Sequence, residues 1–217
     1  MILRIGCILA ILALTACAKP DPPTLPFYTA VQRGDLDQIE RHIFWNTDIN
    51  APDPEGATAL HAAARLGRRV IAETLLDHGA DMNAKNAAGR TPLNVAIAAG
   101  RTQVADMLVR HGAPFDPDRI LFDITLAGIS DRDVVDFLVR RGADLDHRDP
   151  SGRTPLIAAV ENNDRLMVKL LVSRGADVNL GDTRGRLPLD VAEETGNEAI
   201  IRYLHRNGAR GTPAGQP

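Results

Sequence analysis

Apolar residues along this chain recur in short clusters that have a helical spacing and end at glycine. A run of small and aliphatic residues over 60–66 ends at Gly67, and a second run over 70–76 ends near Gly79. The residues of the second run that recur at a helical spacing are Val70, Ile71, Thr74 and Leu75. Glycine tolerates the positive φ at which helices commonly end. The pattern therefore predicts two short helices, over 60–66 and 70–76, joined by a tight turn.

This helix pair repeats along the chain in one register. Gly-Ala dipeptides begin at Gly79, Gly112, Gly142, Gly175 and Gly208, and the intervals are 33 residues except for one of 30, from Gly112 to Gly142. A second marker, a glycine two residues before Thr-Pro-Leu or a variant of it, begins at Gly56, Gly89, Gly152 and Gly185. Helices this short are below the ~12–15 residues at which an isolated helix is even marginally stable. The period therefore predicts stacked units that stabilise one another.

The repeated sequences resemble the ankyrin repeat. The family's Gly-x-Thr-Pro-Leu-His opening is similar to residues 56–61 and 89–94, and its Leu-Leu-x-x-Gly-Ala-Asp-x-Asn ending is similar to Leu75–Asn83 and Leu170–Asn179. The resemblance covers about residues 27–209. It implies an all-α fold, an ankyrin-repeat solenoid of about six helix-turn-helix units joined by β-hairpin-like turns, with terminal units that have polar outer faces.

The fourth unit, 118–148, departs from this pattern. It is the short unit, and it lacks the Gly-x-Thr-Pro-Leu opening. We expect its hairpin turn to be shortened or rearranged, on the side that would bind a partner. Candidate apolar anchors nearby are Phe115, Ile120 and Phe122, although core packing is expected for at least two of them. Phe44 and Trp45 in the first hairpin have the same two interpretations.

The amino terminus predicts export. A basic start is followed by an apolar run over 5–14, which is shorter than the ~20 residues of a membrane-spanning helix and is typical of a signal peptide, here 1–16. Leu14-Thr15-Ala16-Cys17 resembles the lipobox of bacterial lipoproteins, which implies cleavage after Ala16 and acylation of Cys17. An ordinary signal peptide with a cysteine near its cleavage site is the alternative.

The residues after the cleavage site refine the expected location. Residue 18 is Ala rather than Asp, and resemblance to Gram-negative sorting rules then favours the outer membrane, facing the periplasm. Residues 17–26 are interpreted as the lipidated cysteine and a Pro-rich tether, and 210–217 as a disordered tail. Cleavage would remove Cys7 and leave Cys17 as the sole cysteine, so no disulfide is expected.

Neither charge nor motifs predict other chemistry. The formal net charge of −3 gives no electrostatic reason to expect nucleic acid as a partner. The sequence contains no phosphate-binding Gly-rich loop ending in Lys-Ser/Thr, no Gly-x-Ser-x-Gly and no His-Glu-x-x-His. His61 is interpreted as structural, and His78 and His111 as too far apart to share a metal. We therefore predict no catalytic site, no cofactor and no metal; an enzyme or metal site within the fourth unit is the alternative.

The resemblance also implies a binding surface, because ankyrin arrays bind proteins through hairpin tips and the concave face of the first helices. Transferred by register, the predicted partner-binding residues are Glu55, Arg65, Leu66, Lys85, Arg90, Arg148, Arg153, Glu161, Asn162, Arg184 and Arg186. The six at the hairpins form what we call the basic row: Lys85, Arg90, Arg148, Arg153, Arg184 and Arg186. This row indicates a partner with an acidic surface. Simple solvation of the tips is the alternative.

These features together predict a monomeric, membrane-anchored, non-enzymatic interaction module that stabilises or protects a periplasmic protein. One alternative is an immunity or inhibitor protein that neutralises a toxin at the envelope. If the chain is not exported, a cytosolic ankyrin adaptor is the remaining interpretation.

Overall fold

A computed structural model describes residues 19–212 of the chain. The predicted signal peptide, Cys17 and the last five residues lie outside these described residues. Residues 19–212 form twelve helices and contain no β-strand: α1 Phe27–Arg33, α2 Leu36–Phe44, α3 Ala59–Leu66, α4 Arg69–Asp77, α5 Pro92–Ala98, α6 Thr102–Arg110, α7 Pro117–Leu126, α8 Arg132–Arg140, α9 Pro155–Glu161, α10 Arg165–Ser173, α11 Pro188–Thr195 and α12 Glu198–Arg206. None of these helices is long and apolar enough to cross a bilayer.

The helices pack as six pairs, which confirms the predicted solenoid. The odd-numbered helices form an inner layer, in which α3 packs against both α1 and α5, and the even-numbered helices form an outer layer, in which α4 packs against α6. The inner helices are rich in alanine, and Ala62, Ala63 and Ala64 of α3 are almost completely buried. Small side chains allow neighbouring repeats to approach closely, so each unit completes its apolar core with the next one.

Local sequence fixes where the helices begin and end. The hydroxyl oxygens of Thr91 and Thr154 accept hydrogen bonds from the backbone N–H groups of Asn94 and Ile157 at 3.3 and 3.2 Å. Proline occupies the first turn of α5, α7, α9 and α11, where its missing N–H costs nothing. Gly79, just after α4, has a φ of 87°. Within α4, Ile71, Ala72 and Leu75 are buried, whereas Val70 is 56 % exposed.

The hairpin of the fourth unit is missing. Residues 111–116 alone connect α6 to α7, whereas the corresponding connections elsewhere are 45–58, 78–91, 141–154 and 174–187. The turn after each inner helix from α3 onward contains a residue with positive φ, at Gly67, Gly100, Gly128, Asn163 and Gly196. Compared with the regular interval from Gly67 to Gly100, the interval that ends at Gly128 is five residues shorter and the interval that begins there is two residues longer. The net deficit of three therefore conceals a larger deletion in the hairpin.

One side chain of α7 makes a contact that a hairpin residue makes elsewhere, and a second one occupies a buried helix position. In a regular unit, the Asn50 side chain accepts a 2.8 Å hydrogen bond from Asp81 N–H of the next repeat. In the fourth unit, Asp118 on α7 accepts the equivalent 2.7 Å bond from Asp144 N–H. Phe122 lies at the helix position that His61 occupies in α3, and it is 7 % exposed. The stack continues through the irregular unit by the packing of α6 against α8 and of α7 against α9.

Candidate partner-binding surface

Four hairpin tips, which we call fingers, project from the stack at residues 53–57, 86–90, 149–153 and 182–186. Each begins with Asp or Asn, whose side-chain oxygen accepts hydrogen bonds from the N–H groups two and four residues later; the Asp149 oxygen accepts from Ser151 and Arg153 at 2.9 Å each. Neighbouring fingers also contact each other. Ala87 N–H donates to the Glu55 carbonyl at 3.0 Å, and the Thr183 hydroxyl donates to the Ser151 carbonyl at 2.7 Å. The fingers are therefore fixed before any partner binds.

The buried side chain of His61 holds the finger residue Arg90 by a hydrogen bond to its backbone. The side chain of His61 is 2 % exposed, and its Nδ1 lies 3.1 Å from the backbone N–H of Thr58 and 3.0 Å from the Thr58 hydroxyl. Because Nδ1 accepts from that N–H, the ring proton is on Nε2, which donates to the Arg90 carbonyl at 2.9 Å. His61 therefore ties the second unit to the finger of the third.

The missing fourth finger leaves a notch beside the finger at 86–90. The notch has a volume of about 570 Å³ and is lined by Met82, Lys85, Gly89, Arg90, Thr91, Asn94, Ala113, Pro114, Phe115, Asp116, Arg119, Ile120 and Asp123. Phe115 is half-buried and packs edge-to-face on Phe137, with ring centroids 5.9 Å apart. Ile120 is 7 % exposed. The notch thus has an apolar floor beside the exposed cations Lys85 and Arg90.

At the other end of the basic row, the cations are already paired. Arg153 lies 2.8 Å from Asp149 and 3.1 Å from Glu161, and Arg186 lies 3.1 Å from Glu161. Arg186 also contacts Asp182 at 2.8 Å and Glu194 at 3.3 Å. We call this set, of two guanidinium groups and four carboxylates, the ion cluster. Its formal charge is negative, so this part of the predicted basic row does not present a cationic surface.

The pKa values of the ion cluster reflect these contacts. Burial alone would raise the pKa of Asp182, but the guanidinium and the N–H of Arg186 lower it below its usual value. The pKa of Asp149 is lowered in the same way, because hydrogen bonds from Arg153 outweigh burial. The Asp149 carboxylate raises the pKa of Arg153, and the Asp182 carboxylate raises that of Arg186. Both arginines therefore stay charged and keep their contacts with the carboxylates of Asp149 and Asp182.

The other members of the basic row make no salt bridge within residues 19–212. Lys85, Arg90, Arg148 and Arg184 are exposed, and Arg148 Nη1 donates only to the Gly152 carbonyl, at 3.2 Å. Arg184 lines a second cleft that it shares with the ion cluster. Lys85 and Arg90 alone lie beside an apolar floor. The structure thus divides the basic row into a cationic part at the notch and a neutralised part around Glu161.

The remaining predicted residues lie at the ends of the inner helices. Arg65 and Leu66 end α3, and both are exposed. The Asn162 amide donates to the carbonyls of Thr125 and Leu126 at 3.1 and 3.3 Å, so it connects α9 to α7. Sequence reasoning missed Leu126, which is 45 % exposed at the position that Arg65 and Glu161 occupy in their own helices. Its position could have been predicted from Gly128, the glycine that follows α7 two residues later.

The histidines of the outer layer do not converge. His78 and His111 each contact a backbone carbonyl of their own helix, those of Thr74 at 2.8 Å and Met107 at 2.9 Å. Within the described part of the chain, no three His, Cys, Asp or Glu side chains lie close enough to hold a metal ion. The polar geometry of the surface is that of hydrogen bonds and ion pairs between repeats.

A rigid stack of helix pairs with projecting fingers is the architecture of helical-repeat domains that bind other proteins. The sequence matches the family model for ankyrin repeats, three copies, over residues 27–119 and 124–213. The chain belongs to the ankyrin-repeat family and is an ankyrin-repeat interaction module. Among curated proteins, no sequence matches it significantly.

Several solved structures are similar to this chain over most of its length. The ankyrin repeat domain of Bcl-3, a member of the IkappaB protein family, is 28 % identical with a TM-score of 0.68, and the alignment covers 88 % of this chain and 89 % of that one. An ankyrin repeat domain from Acinetobacter baumannii is 30 % identical with a TM-score of 0.60, covering 85 % and 98 %. A chain from the complex of the predatory endopeptidase Bd0816 of Bdellovibrio bacteriovorus with immunity protein Bd3460 is 25 % identical with a TM-score of 0.61, covering 83 % and 96 %.

Proposed function

We propose that this chain is a lipid-anchored, non-enzymatic protein of the bacterial cell envelope, which binds one periplasmic protein and stabilises or protects it. Lipid on Cys17 would attach it to the outer membrane, facing the periplasm. Two features support the proposal: the lipobox-like sequence at residues 14–17, and the membership of a family whose repeats bind proteins. A preformed surface of this kind binds with little loss of conformational freedom.

The notch is the observation on which the binding mode depends. Lys85 and Arg90 are exposed and without a salt bridge among the described residues, and they flank the apolar floor formed by Phe115 and Ile120. An extended loop that carries a carboxylate beside an apolar side chain would satisfy both parts of the notch. The ion cluster cannot offer the same contact, because its guanidinium groups are already paired.

Affinity capture from detergent-solubilised envelopes tests the proposed site. We expect the wild-type chain to retain one protein in a stoichiometric amount, and the double variant Lys85→Glu with Arg90→Glu to lose it. The matched control is Arg165→Glu with Lys169→Glu, which makes the same charge change on exposed positions of α10. If the notch variant and the control retain the partner equally well, the notch is not the binding site.

The anchor is tested separately from the partner. Metabolic labelling with a radioactive fatty acid should label the wild-type chain and leave Cys17→Ser unlabelled. The labelled protein should fractionate with the outer membrane and be degraded by protease only after the outer membrane is permeabilised. An unlabelled wild-type chain in the cytosolic fraction would support the cytosolic adaptor instead.

An immunity or inhibitor function is the second candidate, and the comparison with the Bdellovibrio complex favours it. That complex contains an endopeptidase together with an immunity protein, and the match to one of its chains covers 83 % of this chain. The nature and fate of the captured partner separate the two functions. A secreted hydrolase that loses activity when bound supports the inhibitor, whereas a resident enzyme that survives longer in cells containing this chain supports the stabiliser.

A further inference from the structure

Two aromatic side chains are exposed at the amino-terminal end of the solenoid. Phe44 ends α2 and is 52 % exposed, and Trp45 follows it and is 39 % exposed. Their rings pack edge-to-face with centroids 6.2 Å apart. They are the most exposed aromatic residues of the described part, and their exposure costs free energy unless something covers them.

The amino-terminal segment passes directly beside this aromatic pair. The buried side-chain oxygen of Gln38 accepts hydrogen bonds from the N–H groups of Thr24 and Leu25 at 2.8 and 3.2 Å. Trp45 Nε1–H donates to the Pro20 carbonyl at 3.2 Å, and the Lys19 ammonium lies 3.6 Å from the centre of the Trp45 ring. The segment 19–25 is therefore attached along α2, and the chain enters the fold at Trp45.

This arrangement places the aromatic pair next to the proposed lipid. Cys17 precedes Lys19 by two residues, and a fully extended chain spans at most about 7 Å over that length. A lipid on Cys17 would thus bring the membrane surface to the Lys19 side of Trp45. Tryptophan and phenylalanine prefer the boundary between headgroups and acyl chains, and lysine is attracted to lipid phosphates.

We propose that Phe44, Trp45 and Lys19 form a second membrane contact, in which both rings enter the headgroup region of the bilayer that holds the anchor. This inference rests on the lipid attachment at Cys17 that is part of the proposed function. Asp21, Glu40 and Asp48 are exposed, and their carboxylates would stay in the water layer, which would limit the contact to a shallow one. Because 19–25 is attached to α2, the contact fixes the solenoid relative to the membrane and limits its swing about the anchor.

Trp45 is the only tryptophan of the chain, so its fluorescence reports this contact without labelling. The acylated full-length protein is reconstituted into vesicles of phosphatidylethanolamine and phosphatidylglycerol that contain phospholipids brominated on the acyl chains. We expect a blue-shifted emission and strong quenching by the brominated lipid. Phe44→Ser should reduce the quenching about twofold or more, because the remaining ring partitions more weakly. Leu166→Ser, an equally exposed position on α10, is the matched control and should leave the quenching unchanged.

Mass spectrometry of the same preparation separates the two proposals. If the acyl mass is present and Trp45 is neither shifted nor quenched, the aromatic contact is refuted and the anchor stands. If the acyl mass is absent, the lipid anchor is refuted, and so is the aromatic membrane contact that depends on it. Circular dichroism of Phe44→Ser verifies that the exposed substitution leaves the helices intact.

Discussion

The guanidinium of Arg153 lies 3.1 Å from the carboxylate of Glu161, and it reaches that carboxylate from the tip of a finger to the end of an inner helix. The same carboxylate accepts from Arg186 of the next finger at 3.1 Å. Glu161 therefore connects the fifth and sixth repeats electrostatically. The two arginine side chains are only 30 % and 27 % exposed, so these ion pairs are partly shielded from solvent.

Glu161→Gln should lower the free energy of unfolding by about 1 kcal/mol, because it removes the charge that two partly shielded arginines share. Urea denaturation at neutral pH measures the loss. Glu194→Gln is the matched control, since Glu194 is 59 % exposed and makes a single 3.3 Å contact with Arg186. Equal shifts of the urea midpoint in the two variants would contradict the bridging role of Glu161.

The finger at 182–186 should make stability depend on acidic pH. The pKa of Asp182 is lowered in the folded chain, so the unfolded chain, with a pKa of about 3.9, takes up the proton first as pH falls. The stabilisation is therefore complete above about pH 5 and is lost progressively below that. Asp182→Asn should reduce this pH dependence, because it removes the titrating carboxyl group. The turn should persist, since the amide oxygen can still accept the turn hydrogen bonds, as that of Asn86 does.

Urea unfolding at a series of pH values measures that effect. The free energy of unfolding of Asp182→Asn should change less between about pH 5 and pH 3 than that of the wild type. Asp77→Asn, on the exposed end of α4, is the control with the same chemical change outside a finger. A wild-type pH profile in Asp182→Asn would show that the carboxylate does not contribute.

The bridge formed by His61 should be important for stability. His61→Ala removes a buried ring that hydrogen-bonds Thr58 and the Arg90 carbonyl, and the expected loss is about 2–4 kcal/mol. Hydrogen–deuterium exchange should also become faster in the finger at 86–90. His78→Ala is the control, because His78 is exposed and contacts only its own helix. Unchanged exchange in that finger would show that the bridge does not hold it.

The regular units were predictable because each has the same local signals. The threonine caps, first-turn prolines and glycine stops act over a few residues, so the two predicted ranges, 60–66 and 70–76, agree with α3 and α4 within about one residue. Val70 has the same helical spacing as Ile71 and Leu75, but its position on α4 faces solvent. The helical spacing alone therefore does not tell which apolar residues in the first turn of α4 are buried and which are exposed.

The binding surface was only partly predictable. The Asp149–Arg153 and Asp182–Arg186 pairs are local and recur at the same spacing, so they could have been recognised in the sequence. The position of Glu161 between two fingers depends on how successive repeats stack, which no local pattern contains. The exposed Leu126 was missed because the deletion of five residues and the insertion of two change the register of the fourth unit. The partner-binding role of all these residues stays a prediction.

Restoring the missing finger should close the notch. By register, Ala80–Thr91 corresponds to Ala113–Arg119, and replacing the shorter segment with a copy of the longer one supplies the five absent residues. The graft replaces Phe115, and the new finger would cover Ile120 and fill the space beside Arg90, so we expect the captured partner to bind at least about tenfold more weakly. Titration calorimetry with the purified partner measures this, and a graft of the same length into the exposed end after Arg210 controls for added chain. Undiminished affinity in a folded graft variant would place the partner elsewhere on the solenoid and would direct attention to Leu66 and Leu126 of the concave face.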